Sequence, residues 1–261
     1  MGKALRSTWQ GILDAYGELF PAVGMNLIWL LINFPLVIVG LGVIQFGTLT
    51  LGLEEDVLQA VTLFFTAIYA VILVIGPNPA SSGMHLFANR IAREERVEFG
   101  LFWEGFKLYF WRSLALFGVS TGGTFLLIAN ALFYLRSDIL PLRLFGIIWI
   151  YGIVVWLAML VYMMPLLIEQ DDKRVRVVLR NSFFLALANV FPTLTILVIF
   201  IVLVLLSLGL TLLIALLTGS VIAMISARLV QTLLEPYRTA AAIAEQNARE
   251  QARASGTPIQ E

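Results

Sequence analysis

Five long stretches of this chain carry no Asp, Glu, Lys or Arg: residues 19–53, 57–75, 113–135, 144–168 and 181–227. A helix needs about 20 apolar residues to cross a hydrocarbon core about 30 Å thick. The stretches therefore hold enough length for about six crossings. Lipid offers the backbone no hydrogen-bond partners, so only helices and closed barrels span it. These runs are continuous and Leu-rich, without the alternation of barrel strands. Composition agrees: 60% of the residues are hydrophobic and 13% charged, against about 25% charged in a soluble domain. The sequence thus predicts an all-α, polytopic membrane protein. Its single transmembrane domain covers 1–238, with spans over roughly 22–46, 57–76, 113–135, 144–168, 191–210 and 212–235. A helical or disordered tail follows over 239–261.

Read as spans, the stretches alternate their loops between two sides. Fifteen of the 17 Lys and Arg residues fall on one side, and only Arg136 and Arg143 on the other. Basic loops stay in the cytoplasm, so both termini are expected inside. The formal net charge is zero, which gives no bias toward nucleic acid. The chain has no cysteine, which excludes disulfides, thiolate catalysis and Cys-based metal sites. The first 18 residues carry Asp14 and Glu18, so no cleaved signal peptide is expected.

Amphipathic segments flank the spans on the inner side. In 3–18, Leu5, Trp9, Ile12, Leu13 and Tyr16 recur at helical spacing opposite Lys3, Arg6, Gln10 and Asp14. Such a helix is expected to lie in the headgroup plane. The inner segment 80–112 predicts two more. One sets Met84, Phe87, Ala88 and Ile91 against Asn89, Arg93 and Arg96; the other repeats Phe99, Phe102, Trp103, Phe106, Tyr109 and Phe110 opposite Glu104 and Lys107. A basic helix is predicted within 169–190. Segments 5–45, 101–135 and 178–212 share one plan, a short helix running into a span, which predicts a threefold internal repeat. The last hairpin could turn at Ser207-Leu208-Gly209 or at Thr218-Gly219-Ser220. The early turn is favoured, because it lets Arg228 snorkel to the inner headgroups, whereas a charge near mid-depth costs about 2.5–3.5 kcal/mol. Pro236 is expected to close the last span.

Few residues carry a signal of chemistry. His85 is the sole histidine and reads as an interfacial side chain, without metal-ligand partners at the right spacing. Glu94-Glu95 and Asp171-Asp172 are mixed with arginines and read as solvated ion-pair networks. Arg90, Arg93, Arg96, Trp103, Lys107, Trp111, Arg174, Arg176 and Arg180 are the candidate contacts for lipid or a cytoplasmic partner. Asn26 and Asn33, seven apart, share one helical face and form the candidate intramembrane polar surface. Gly118, Gly122 and Gly123 suit close helix packing. No acid lies deep in a span, and no nucleotide, zinc or hydrolase motif is present. No enzyme activity, cofactor or metal is expected.

From residue 76 onward the chain resembles the bacterial DUF624 (YesL-like) membrane proteins. The matching stretches are Gly76-Pro77 with Ala80, Arg90, Phe102-Trp103-Glu104-Gly105-Phe106-Lys107-Leu108-Tyr109-Phe110, Pro165-Leu166-Leu167, Leu179-Arg180-Asn181-Ser182 and Pro192-Thr193-Leu194. Asn26-Leu27-Ile28-Trp29 resembles the family's start. The pattern departs at 41–76, where a further span precedes Gly76-Pro77. The resemblance implies a bacterial cytoplasmic membrane protein and an accessory role beside a carbohydrate transport protein, with no catalytic residues to carry over. A small solute transporter or channel using Asn26 and Asn33 is the alternative.

Overall fold

A computed structural model describes residues 2–50, 52–210 and 214–254. Among them there is no strand. The helices are α1 (Gly2–Gly17), α2 (Leu19–Leu49), α3 (Glu55–Ile75), α4 (Pro79–Ala92), α5 (Gly100–Leu135), α6 (Leu140–Glu169), α7 (Val175–Ala188), α8 (Val190–Gly209) and α9 (Gly219–Ala254). A π-helical turn, Ile214–Thr218, leads into α9. Six of these helices, α2, α3, α5, α6, α8 and α9, are long and apolar enough to cross a membrane. The fold is an all-α polytopic membrane protein.

The core is built around α4. Every residue from Pro79 to Asn89 is buried, including Ser81, Ser82, His85 and Asn89. A helix buried all round has neighbours on every side; here α2, α5, α6 and α9 supply them. This corrects the expectation of an interfacial helix with Asn89 on a wet face. Small residues are the physical reason. A Cβ on Gly83 would lie 2.4 Å from the Phe102 carbonyl oxygen, and one on Gly105 would lie 2.8 Å from that of Ser82. The α4 and α5 backbones therefore cross in direct contact. Fully buried Phe87, Phe102, Tyr162, Met163 and Met164 fill the space around them.

Two helices run further than their apolar stretches. The aromatic segment expected as a separate helix is the first half of α5, which continues unbroken to Leu135. Its 36 residues span about 54 Å at 1.5 Å per residue, well beyond a hydrocarbon core. Likewise α9 passes through Pro236 without stopping and takes in the expected tail as far as Ala254. The last hairpin has α8 ending at Gly209, and Ser207 Oγ lies 2.6 Å from Thr218 Oγ1 across it.

The first helix uses two faces. Leu5, Trp9, Leu13 and Tyr16 are exposed, while Ala4, Ser7, Gly11 and Ala15 are buried. The small stripe packs against α9 so closely that a Cβ on Gly11 would stand 2.7 Å from the Ile225 backbone. Of the three expected repeat copies, two share an elbow. Glu18 (φ −112°, ψ 39°) joins α1 to α2, and Asn189 (φ −129°, ψ 48°) joins α7 to α8. Leu19-Phe20-Pro21 and Val190-Phe191-Pro192 follow these residues. In the remaining copy α5 runs straight, with no proline at the corresponding place.

The α4–α5 crossing leaves no room for a side chain between the two backbones. Gly105→Val is expected to destabilise the fold by about 1–3 kcal/mol through overpacking. Thermal unfolding in detergent checks this; Gly118→Val, where a Cβ meets nothing within 4 Å, is the control and should leave the transition unchanged.

Candidate functional site: a buried carboxylate at the charged end

The last residue of α6, Glu169, has a side chain only 3% exposed. Four donors converge on it from distant parts of the chain. Oε1 accepts from Arg93 at 2.6 Å and from Arg238. Oε2 accepts from Asn89 Nδ2 at 2.6 Å and from Gln231 Nε2 at 2.8 Å. A buried carboxylate is tolerable only when paired and hydrogen-bonded, and here both oxygens are fully occupied. Arg238 also donates to Gln231 Oε1 at 2.7 Å. The knot ties the end of α6 to α4, to the turn after it and to α9.

The turn that delivers Arg93 is unusual. Glu94 sits at φ 60°, in the left-handed region that favours glycine at helix C-termini. Its N–H donates to the Ile91 carbonyl at 2.9 Å, and the Glu95 N–H reaches the Arg90 carbonyl at 3.0 Å. Arg90 pairs with Glu95. The turn thus holds Arg93 over Glu169 at some backbone cost.

Arg93, Glu169, Gln170, Asp171, Leu234 and Arg238 line an open recess of about 510 Å³. The two arginine side chains are 42% and 48% exposed at its rim. Lys173 stands beside it, donating to the Ile168 carbonyl at 2.6 Å with its ammonium 5.5 Å from the centre of the Tyr109 ring. Burial pushes the Lys173 ammonium below the ordinary lysine range; Asp171 opposes that shift, while Arg112 and Arg93 add to it. A second ion pair braces the other side of α9. Arg228 donates to both oxygens of Asp14 on α1, at 2.6 and 2.9 Å. It also reaches the carbonyls of Ala92 at 3.3 Å and Ile91 at 3.5 Å. Instead of snorkelling alone to headgroups, Arg228 has a fixed protein partner and caps the end of α4.

The remaining sequence candidates fall in two groups. Arg96, Trp103, Lys107, Trp111, Arg174, Arg176 and Arg180 are exposed, and Arg174 lies 3.8 Å from Asp172. Arg93 leaves that group for the Glu169 knot. Asn26 and Asn33 are buried in a seam along α2. Asn33 Nδ2 donates to the Trp29 carbonyl at 2.9 Å and faces Asn78 Oδ1 at 3.4 Å. The Ser220 N–H donates to Asn26 Oδ1 at 3.2 Å. His85 is buried rather than interfacial, with Nδ1 2.8 Å from the Ser81 carbonyl and Nε2 3.3 Å from Ser226 Oγ. A carbonyl can only accept, so Nδ1 carries the proton. Among the described residues no group of three His, Cys, Asp or Glu could hold a metal ion.

Glu169 escaped the sequence reading. The one local signal was an acid placed directly after a long apolar stretch, Leu144–Ile168. Replacing it by Leu strands two arginines and two amides and is expected to cost about 3–5 kcal/mol. Glu169→Gln keeps the shape and part of the bonding and should cost less. Thermal unfolding of the two variants in detergent gives the order.

A scan against protein-family models, a search of curated proteins and a search of solved structures each return no match. The chemistry of this site rests on the chain's own residues.

Proposed function

We propose that the chain is a non-enzymatic accessory or scaffold component of a bacterial cytoplasmic membrane. In this reading the charged end and both termini lie inside, and that end docks a partner belonging to a membrane transport system. The resemblance to DUF624 proteins points to carbohydrate uptake. The observation that carries the reading is the Glu169 knot. A carboxylate held by four donors fixes two half-exposed arginines at the rim of a recess. Fixed charges of this kind select a partner and its orientation. Around the same end, Trp103 and Trp111 on α5 and Arg176 and Arg180 on α7 are exposed. Aromatic and arginine side chains are the residue types enriched in interface cores.

A photo-crosslinking residue at position 176 tests this in native membranes. A discrete protein adduct is expected there, and none at position 198, an exposed site within the span α8. Reversing the exposed charges Arg174 and Arg180 to Glu should remove the adduct. An adduct indifferent to that reversal, or no adduct at all, overturns the reading.

A second reading, a small solute transporter or channel, draws on one specific feature. The break between α3 and α4 and the π turn before α9 both meet the Asn26–Asn33 stripe of α2. Paired interruptions of this kind mark substrate sites in many transporters. The polar atoms of the seam bond to one another, so passage requires the seam to open. Solute flux into proteoliposomes that Asn33→Leu abolishes would favour this reading; absence of flux removes it.

A further inference from the structure

We infer that the recess between Arg93 and Arg238 is a binding site for a phosphate group, carried either by an anionic lipid headgroup or by a soluble phosphorylated ligand. The inference rests on the reading that the charged end is the protein's binding face, and it names a ligand chemistry for that face.

The asymmetry of exposure decides the sign of the ligand. Glu169 contributes a negative charge to the recess, but its side chain is 3% exposed and both oxygens already hold two donors each. It has no accessible lone pair to offer a cation. The arginines are in the opposite state. A guanidinium carries five N–H donors. Arg93 uses one on Glu169, and Arg238 uses one each on Glu169 and Gln231. The remaining donors belong to side chains 42% and 48% exposed, at the edge of an open recess of about 510 Å³. Two guanidiniums anchored on one carboxylate oxygen, with spare donors, form a fork suited to a tetrahedral oxyanion.

Charge around the recess supports the same sign. Arg93 and Arg112 both lie close enough to Lys173 to disfavour its positive charge. Among the described residues Asp171 is the one exposed acid in the lining. Glu169 also fixes both arginines in advance, so an incoming anion meets ordered donors and little side-chain entropy is lost on binding. The exposed aromatic side chains of α5 and α7 near this end, Trp111 and Phe184 among them, suit a membrane interface. A basic pocket between helices at that level is a headgroup site by chemistry.

The full chain, purified in detergent, tests this with two probes. Inorganic phosphate is titrated against chloride at constant ionic strength and read as a rise in unfolding temperature. Phosphatidylglycerol and phosphatidylcholine are compared by retention in native mass spectrometry. Retention of phosphatidylglycerol over phosphatidylcholine supports the site and assigns it to a headgroup. A phosphate response with no lipid preference supports it and assigns a soluble ligand. Arg238→Gln is expected to weaken whichever probe binds by about tenfold. Asp171→Asn removes the one exposed acid and is expected to tighten binding. That variant does not touch the Glu169 knot, so it remains informative if Arg238→Gln fails to fold. No response to phosphate together with no lipid preference overturns the inference, as does binding unchanged by Asp171→Asn. Crosslinking at position 176 is read independently. Its failure with phosphate binding intact would sink only the docking of a protein partner.

Discussion

Buried backbone N–H and C=O groups need partners, and at the ends of a buried helix the helix itself cannot supply them. The buried helix α4 imposes that constraint, and the polar architecture follows from it. At its start, Gly76-Pro77-Asn78-Pro79 breaks the chain and Asn78 repairs the break. Its Nδ2 donates to the Leu73 carbonyl behind it, and its Oδ1 accepts from the Ser81 N–H ahead, both at 2.9 Å. Trp29 then donates to Ser81 Oγ at 2.9 Å. At its end, Arg228 covers the carbonyls of Ile91 and Ala92, and Asn89 is held by Glu169. Asn78 at the start and Arg228, held by Asp14, at the end are thus the two caps of one buried helix. Removing either leaves polar groups in the core, each costing about 1–3 kcal/mol.

The sequence showed the spans and hid the centre, for a reason that can be located. The all-α class and six helices of spanning length are legible because length and apolarity are additive along the chain. The fate of α4 is not. Its fourteen residues are too few to span, and Ser81, Ser82, His85 and Asn89 look like a wet face. Each of them finds a partner far away in sequence: Trp29, Gly105, Ser226 and Glu169. Nothing local distinguishes a polar side chain with such a partner from one in water. Glu169 was hidden in the same way, since its four donors lie between 62 and 80 residues from it. Charge also misled the reading of α5, where Lys107 and Arg112 ended an apolar stretch without ending the helix. Those side chains are exposed, and a helix whose charges point outward has no reason to stop.

The first helix shows how lipid changes the meaning of amphipathicity. In water the apolar face of a helix turns to the core. In α1 the large apolar side chains, Trp9 and Tyr16 among them, face outward, and the core contact is made by Ala4, Ser7, Gly11 and Ala15. Between helices in lipid the gain comes from close van der Waals approach rather than from excluding water, so small residues mark the protein side. The conspicuous periodicity of 3–18 therefore marks the outward face, and the inconspicuous one marks the contact with α9. The same logic reads Gly83, Gly105 and Gly11 as contact sites, while a Cβ on Gly118 or Gly122 would meet nothing within 4 Å on a neighbouring helix.

Contacts within the protein are distributed unevenly over the bundle, and that bears on where binding can be specific. Only 11% of the most apolar window of α2 is buried, against 67% for the span containing α9. Away from the core, the α2–α3 hairpin is joined by two side-chain bonds, Tyr69 to the Leu36 carbonyl at 2.6 Å and Thr62 to Thr48 at 2.9 Å. An apolar groove of about 460 Å³ separates the hairpin from α5. Few contacts within the protein therefore hold this hairpin against α5. The charged end is the reverse case. Ion pairs from α1 to α9 and from α6 to α9, with the capped end of α4 between them, leave its side chains little freedom. Selective recognition requires groups that do not reorganise when the ligand arrives, and in this molecule those groups are gathered around Glu169.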